Sequence, residues 1–204
     1  MFIWGGFLRH YFTNEEYETE ERYSYKINIF DKQFIFNTSS GVFSKSALDY
    51  GTKLLLENLI ASDIKGKVLD IGCGYGPIGI ILASFKNLEL HMTDINKRAL
   101  ELTKENARIN NISCVRIYES YIYNEIKTKF DCIISNPPIR AGKKVIYEII
   151  GSAKEHLNEK GELWVVIRKA QGAQSLVRNM SNIYNISIID KKKGYYILMF
   201  KIKS

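Results

Sequence analysis

From residue 66 onward, short apolar runs alternate with segments whose apolar residues recur every three or four positions. The runs predict strands buried on both faces, and the segments predict helices that bury one stripe of side chains. Alternation of this kind indicates a parallel sheet with helices on both sides. The predicted strands are 67–71, 88–92, 114–118, 130–135 and 162–167, and the predicted helices are 78–85, 97–110 and 144–157.

The two ends of the chain follow different patterns. Apolar and polar residues alternate on either side of Asp31 and Lys32, which predicts a β-hairpin, and residues 47–60 carry leucines at helical spacing. Near the carboxyl terminus, two strand patterns at 184–189 and 195–202 are separated by a short turn. Strands joined so closely can be neighbours only if they run antiparallel, so the end of the sheet is predicted to be antiparallel.

Composition indicates one compact domain. The chain has 204 residues, of which 46% are hydrophobic, and no Pro-, Gly- or Ser-rich linker divides it. We therefore predict a single domain over residues 24–204, preceded by an N-terminal extension over residues 1–23. Residues 1–8 are apolar but too few to span a bilayer, and no basic leader or cleavage pattern accompanies them. No membrane contact is expected.

Cysteine usage and charge bear on the compartment and the partner. Cys73, Cys114 and Cys132 are odd in number and lie in or beside apolar segments, which indicates reduced side chains in a cytoplasmic protein. Neither a Cys-x-x-Cys sequence nor a histidine pair at helical spacing occurs, so no metal is expected. The 29 Lys and Arg residues exceed the 22 Asp and Glu residues, which gives +7 and favours a polyanion such as nucleic acid.

A glycine-rich turn follows the first predicted strand of the sheet. Gly72, Gly74 and Gly76 allow positive φ angles and close approach of a ligand, and the helix beyond them, opened by Pro77, offers free N–H groups. The spacing indicates a nucleotide-type site but does not complete Gly-x-Gly-x-x-Gly, which weakens a dinucleotide interpretation. A tight strand-to-helix turn without a ligand is the alternative.

Two aspartates belong to the same region. Asp94 ends the next strand, where a carboxylate of a βαβ unit can accept hydrogen bonds from both ribose hydroxyls. Its alternative role is to cap the helix that starts near Lys97, a role that Asn96 could also fill. Asp70 is expected to accept from backbone amides of the glycine turn or, through water, from a cationic end of the ligand.

Asn136, Pro137, Pro138 and Ile139 come directly after the apolar strand 130–135. Two prolines fix φ and remove two backbone donors, so the carbonyls around them face outward beside the Asn136 amide oxygen. Such acceptors suit a flat –NH2 group at the end of a buried strand. A proline-stiffened loop is the alternative interpretation.

In combination these segments resemble class I S-adenosylmethionine-dependent methyltransferases, in the amino-methylating branch whose fourth strand ends in Asn/Asp-Pro-Pro. This resemblance is carried by residues 70–76, Asp94 and residues 136–139. A narrower resemblance, to the small-domain family of 16S ribosomal RNA guanine-N2 methyltransferases, is carried by residues 41–44, 48–52 and 134–143. It implies an α/β fold: a Rossmann-like, seven-stranded methyltransferase sheet with an antiparallel last strand, preceded by a small β-hairpin and a helix.

The resemblance also implies S-adenosyl-L-methionine as cofactor and a role for each matching residue. Asn136 and the Pro137 carbonyl would accept from the target amine, with Pro138 and Ile139 completing the catalytic loop. The implied cofactor-binding residues are Asp70, Gly72, Cys73, Gly74, Gly76, Asp94, Ile95, Glu119, Ser120 and Asn136. The implied substrate-binding residues are Phe43, Arg140, Lys143, Lys144 and Arg168. A turn or helix cap remains the alternative for Glu119 and Ser120, and a solvated surface charge for the lysines.

The resemblance leaves the methyl acceptor open. Many amino-methylating relatives carry Tyr or Phe where this chain has Ile139, so stacking on the base must come from elsewhere, with Phe43 as one candidate, or be replaced by aliphatic contact. We expect methyl transfer to an exocyclic amine of RNA, namely guanine N2 of 16S ribosomal RNA, by a monomer or homodimer. Adenine N6, a protein glutamine amide, and a non-catalytic RNA-binding factor on the same scaffold are the alternatives.

Overall fold

The computed structural model of the chain describes residues 21–40, 47–138 and 142–203. Every strand and helix predicted above is present, with ends shifted by a few residues. The strands are β1 (Arg22–Ile29), β2 (Lys32–Ser39), β3 (Gly66–Ile71), β4 (Leu88–Asp94), β5 (Val115–Glu119), β6 (Phe130–Ser135), β7 (Leu157–Arg168), β8 (Tyr184–Lys192) and β9 (Tyr195–Ile202). The helices are α1 (Tyr50–Ala61), α2 (Pro77–Phe85), α3 (Lys97–Ile109), α4 (Gly142–His156) and α5 (Ala173–Met180).

Seven strands form one sheet in the order β5-β4-β3-β6-β7-β9-β8. The first five run parallel, and β9 lies antiparallel to both of its neighbours. This arrangement confirms the predicted seven-stranded sheet with an antiparallel strand at the chain end. β7 begins five residues earlier than the predicted 162, because Leu157 pairs with Phe130 of β6 across a local irregularity in register. The polar stretch after Leu157 concealed that extension in the sequence.

The central strands are continuously apolar because helices cover both of their faces. Val68 and Ile134 belong to one hydrophobic cluster, together with apolar residues of α1, α2 and α3. Leu69 and Ile133, their neighbours in sequence, belong to a second cluster with α4 and α5. If the pairing of a strand buried on both faces shifted by one residue, the side chains of its two faces would exchange places and no longer fit their clusters. The register of these strands is therefore fixed, and so are the positions of their ends.

The β1–β2 hairpin is attached to the domain through side-chain amides on α3. Asn106 accepts from the backbone N–H of Asn37 at 2.8 Å and donates to the Asn37 carbonyl at 2.8 Å. Asn110, one helical turn later, makes the same pair of bonds with Ile35, at 3.0 and 2.7 Å. The outer edge of β2 is therefore satisfied by side chains that take the place of a neighbouring strand, which protects an otherwise open edge.

The hairpin begins at Arg22, close to the predicted start of the domain at residue 24. The boundary itself stays a prediction, since residues 1–20, which include the apolar stretch at 1–8, lie outside the described residues. No helix in the ranges described here has the length and apolar character needed to cross a membrane.

We predict that Asn106→Ala destabilises the domain by about 2–4 kcal/mol, because the Asn37 N–H and two carbonyls lose their partner in a buried place. Urea unfolding followed by circular dichroism would measure the change. Asn28→Ala is the matched control, since Asn28 is exposed on the same hairpin, and its effect should stay within about 0.5 kcal/mol. Equal stability of the two variants would contradict the edge-protecting role of Asn106.

Candidate active site

Four loops converge at the end of the sheet where the parallel strands finish. β3, β4, β5 and β6 run parallel, so their carboxyl ends lie side by side. The loops that follow them begin at Gly72, Ile95, Ser120 and Asn136. Two adjoining pockets open at this end of the strands and share a wall formed by Gly72, Pro137 and Pro138. Segments predicted separately along the chain therefore line one continuous cleft.

The glycine turn presents its backbone to this cleft. Gly72, Gly74 and Gly76 all have positive φ, of 67°, 59° and 94°. A methyl group added at Gly72 or Gly74 would meet no atom within 4 Å, whereas at Gly76 it would lie 2.8 Å from Ile80 Cδ1. The first two glycines therefore leave space for a ligand, while the third is required by packing against α2.

The turn is held from behind by α3. The Thr103 hydroxyl donates to the Gly74 carbonyl at 2.7 Å, and the Asn106 amide donates to the Tyr75 carbonyl at 2.8 Å. Cys73 is buried, its N–H donates to the Thr93 carbonyl at 2.9 Å, and burial raises the pKa of its thiol well above the usual range. A turn fixed by three neighbours keeps its open side without a ligand present, which lowers the entropic cost of binding one.

Asp94 connects the turn to the end of β4. One carboxylate oxygen accepts from Gly74 N–H at 2.9 Å and the other accepts from Asn96 N–H at 2.9 Å. The helix cap considered as an alternative is provided by Asn96, whose side chain accepts from Arg98 N–H and Ala99 N–H. Asp94 lines the cleft, and a carboxylate in this place can accept hydrogen bonds from hydroxyl donors.

Asp70 lies beneath the turn and is fully buried. Its Oδ2 accepts from Gly79 N–H in α2 at 3.0 Å, rather than from the glycine turn itself, whose Gly74 N–H goes to Asp94. Its Oδ1 has no hydrogen-bond partner among the described residues. Burial, opposed by the Gly79 N–H and assisted by the nearby Asp94 charge, raises the pKa of Asp70 to about 7.

The pocket that contains Ile95 is mainly apolar. Ile95, Ile122, Val145 and Ile149 line it. Ser120 lines it too, but its hydroxyl is engaged in the local turn, where it donates to the Ile122 carbonyl at 3.0 Å and accepts from Glu125 N–H at 3.2 Å. The Glu119 side chain is exposed and pairs with Lys97 at 3.7 Å. A flat apolar group fits this pocket better than a charged one.

The other pocket, named the clamp pocket here for Asn136, contains a hydrogen-bond arrangement that the sequence analysis did not assign. The Asn136 amide nitrogen donates to Thr52 Oγ1 at 2.8 Å and to Asp49 Oδ2 at 3.3 Å. The Thr52 hydroxyl in turn donates to Asp49. An ionised carboxylate can only accept, so it fixes which end of the Asn136 amide is the nitrogen. The Asn136 oxygen is thereby left as the acceptor for a partner.

Asp49 is also the N-cap of α1, since its Oδ1 accepts from Gly51 N–H at 2.9 Å and from Thr52 N–H at 3.2 Å. An Asp followed by a helical leucine pattern is the one local sign of this role in the sequence. Its second role, as partner of Asn136, has no local sign because the two residues lie 87 positions apart.

The substrate-binding residues implied by the resemblance fall into two groups. Arg168 lines the clamp pocket, and Lys143 and Lys144 are exposed at the start of α4. The Lys143 side chain extends toward the turn after β7, where a methyl group at Gly172 would lie 3.8 Å from Lys143 Cε. Phe43, Ile139 and Arg140 lie outside the described residues.

Comparison with known proteins assigns the family. The methyltransferase small domain matches residues 33–199, which is most of the chain. The chain belongs to the methyltransferase small-domain family. That range begins inside the hairpin and ends inside β9, so it contains both pockets and every described residue of the cleft. The cleft is therefore part of a methyltransferase domain.

Other members of the family share much of the sequence. The uncharacterized protein YbxB of Bacillus subtilis is 43% identical over 196 residues, which cover 94% of this chain and 98% of that protein. Ribosomal RNA small subunit methyltransferase C of Haemophilus influenzae is 42% identical over 151 residues, 72% of this chain. The match spans only 45% of that longer protein.

Solved structures share the fold of this methyltransferase domain. The T. thermophilus 16S rRNA N2 methyltransferase RsmC, in complex with AdoMet and guanosine, superimposes with a TM-score of 0.79 at 21% identity. The superposition covers 89% of this chain and 51% of RsmC. A ribosomal protein L11 methylase from Lactobacillus delbrueckii superimposes with a TM-score of 0.67 at 22% identity, over 76% of this chain and 79% of that one.

Burial of Asp70 makes the stability of the domain depend on pH. Its pKa is raised from 3.8 to about 7, so between those values the folded protein holds a proton that the unfolded chain releases. We predict that this contribution is complete below about pH 4 and is lost as the pH rises to about 7. Asp70→Asn should abolish it, as measured by urea unfolding across this range. Asp63→Asn, at an exposed site, shows what an ordinary surface carboxylate contributes.

Proposed function

We propose that this chain transfers a methyl group from S-adenosyl-L-methionine to an exocyclic amine of RNA, and that the amine is guanine N2 of 16S ribosomal RNA. The observation that carries the proposal is the orientation of the Asn136 amide. Asp49 and Thr52 accept hydrogen bonds from the amide nitrogen of Asn136, so the amide oxygen is left as an acceptor in the pocket that Pro137 also lines. This pocket belongs to the cleft of a methyltransferase domain. An amide oxygen held in this way suits a partner with N–H donors.

The residues of the cleft fit S-adenosylmethionine. Gly72 and Gly74 leave open space above their backbone, Asp94 presents to the cleft a carboxylate of the kind that accepts from ribose hydroxyls, and the apolar pocket beside Ile95 suits an adenine ring. Asp70 lies buried beneath the turn with an unpartnered Oδ1, and a cationic amino group bound near it would favour the ionised form of this carboxyl. When bound, the cofactor supplies an electrophilic methyl group on a sulfonium.

The chain's own contribution to the reaction is to hold and desolvate the acceptor nitrogen. Asn136 Oδ1 and the Pro137 carbonyl each accept from one N–H of the amine, which fixes the plane of the –NH2 group. The nitrogen lone pair then points out of that plane, toward the methyl donor. Pro137 and Pro138 form part of the wall of both pockets, so the acceptor site adjoins the cofactor site. No strong general base is needed, because the proton lost after transfer is acidic.

Three observations support RNA as the acceptor. The H. influenzae relative is a ribosomal RNA methyltransferase by name, and the chain carries 29 Lys and Arg residues against 22 Asp and Glu. Lys143 and Lys144 stand exposed directly after the Asn136 loop, where a phosphate backbone would pass. RsmC, which shares the fold, binds guanosine in its own site, and this favours guanine among the bases.

We predict that Gly74→Ala weakens binding of S-adenosylmethionine at least 10-fold while the fold persists. The added methyl group meets no protein atom but occupies the open side of the turn, and the positive φ costs about 1 kcal/mol. Isothermal titration calorimetry would measure the affinity. Gly151→Ala is the matched control, since a methyl group there also meets no atom within 4 Å but lies in α4. Parent-like affinity for Gly74→Ala would contradict the cofactor site.

Transfer of label from S-adenosylmethionine to small ribosomal subunits tests the reaction itself. We predict that Asn136→Ala lowers kcat at least 100-fold, the effect of removing a group that orients the reacting atoms. Thr52→Val keeps the shape but removes one hydrogen bond to Asn136, and should cost about 10-fold. Thr128→Val, near the opposite edge of the sheet, is the matched control and should keep parent activity.

Analysis of the labelled product identifies the acceptor. Digestion to nucleosides should yield N2-methylguanosine as the labelled species. Label in N6-methyladenosine or in ribosomal protein would reject guanine N2 and retain the methyltransferase activity. Absence of both label transfer and S-adenosylmethionine binding would instead support a non-catalytic RNA-binding factor.

A further inference from the structure

Arg168 and Tyr195 belong to β7 and β9 and form part of the wall of the clamp pocket. Both line the same pocket as Asn136 and Pro137. They lie opposite each other in register on β7 and β9, at the end of the sheet where Asn136 follows β6. These two strands come after the glycine turn, Asp94 and the Asn136 loop in the chain, so neither residue was linked to the acceptor base by a local motif.

The Arg168 guanidinium is held in a fixed position. Its carbon lies 4.7 Å from the centroid of the Tyr195 ring, and one of its N–H groups donates to the Tyr195 hydroxyl. The side chain is exposed and has no carboxylate within 4 Å in the described part of the chain. An arginine paired with carboxylate would have its donors occupied, whereas here the planar group rests on an aromatic ring beside the cleft.

Tyr195 is itself positioned by the helix that holds Asn136. Its ring packs against Tyr50 at a centroid distance of 5.6 Å. A methyl group at Gly51 would lie 2.7 Å from Tyr195 Cε1, so the ring needs the absence of a side chain there. Gly51 lies between Asp49 and Thr52, the two residues that orient the Asn136 amide. The guanidinium–ring pair and the acceptor oxygen are thus built on the same helical turn, which fixes their separation.

We propose that Arg168, stacked on Tyr195, is the surface on which the target base stacks while Asn136 accepts from its amine. The inference rests on the proposed function and adds a residue that determines how the base is held. The chain has the aliphatic Ile139 in the motif, which offers no ring for stacking, whereas Arg168 offers a planar group in the same pocket as Asn136. Nucleobases stack on guanidinium planes as well as on aromatic rings, and the exposed guanidinium of Arg168 lies beside the clamp pocket.

Substitutions of Arg168 can separate the contribution of its planar guanidinium from that of its positive charge. Arg168→Lys keeps the positive charge and loses the plane, Arg168→Phe keeps a plane and loses the charge, and Arg168→Ala loses both. Stacking on a base is worth about 1–3 kcal/mol, so Arg168→Lys and Arg168→Ala should each lower kcat/KM for small ribosomal subunits by about 10- to 100-fold. Arg168→Phe should retain more activity than either. All variants should leave the dependence of log(kcat/KM) on log salt concentration unchanged.

A role for Arg168 as a phosphate contact gives the opposite results. Arg168→Lys would then stay within about 2-fold of the parent, and Arg168→Ala would reduce the salt slope by about one. Either result overturns the stacking role, as does an Arg168→Phe variant no more active than Arg168→Ala. A loss of S-adenosylmethionine affinity in Arg168→Lys, measured by calorimetry, also overturns it, because Arg168 would then serve the cofactor.

Tyr195 provides an independent check through a double-mutant cycle. Tyr195→Phe keeps the ring but removes the hydroxyl that accepts from Arg168, and should lower kcat/KM several-fold in the parent. In the Arg168→Ala background the same change should have no further effect, whereas additive losses would overturn the coupling. A parent enzyme that transfers no label to RNA overturns the proposed function. An active parent with a fully active Arg168→Lys variant overturns this inference alone.

Discussion

The Asp49 carboxylate accepts hydrogen bonds from Gly51 N–H, Thr52 N–H, the Thr52 hydroxyl and the Asn136 amide. Three of these donors belong to the first turn of α1 and the fourth follows β6, so one side chain joins a helix start to a strand end. Losing the carboxylate would leave α1 uncapped, and the Thr52 hydroxyl, which can donate or accept, would no longer fix which end of the Asn136 amide faces it. The direction of the amide therefore depends on a helix cap, and the acceptor chemistry of the cleft depends on the amide.

The sheet explains why a helix cap can control a loop so far away in sequence. Strands buried on both faces have one register, and their carboxyl ends therefore meet at a fixed edge. α1 packs against β3 and β6 on one face of the sheet, in the hydrophobic cluster that contains Leu55, Leu59 and Ile134. With the helix axis and strand ends both fixed by packing, a short polar side chain at the helix start is enough to position Asn136.

The sequence predicted those features whose physical cause is local. Glycine at positions 72 and 74 indicates positive φ angles by its residue type alone, and the apolar run before Asn136 places that residue at a strand end. It could not separate Gly76, which packs on Ile80, from the two glycines that leave a cleft open. It also missed the pairing of Asp49 with Asn136 and of Arg168 with Tyr195, because each depends on contacts between distant segments. Tertiary pairing carries no periodic signal in a single sequence.

Exposed cations lie at both ends of the parallel strands, and carboxylates pair with some of them. At the amino edge, Lys67 and Arg116 lie 3.4 and 3.8 Å from Glu89, and Lys201 lies 2.9 Å from Glu162. At the carboxyl edge, within the described ranges, several exposed cations around the cleft have no carboxylate within 4 Å. Apart from Arg168, which contacts Tyr195, these are Lys143, Lys144, Lys169 and Lys193. Lys97 and Lys192, at the same end of the strands, pair with Glu119 and Asp190 instead. The four lysines without a carboxylate lie beside the cleft that contains Asn136, where their charge would favour a polyanion.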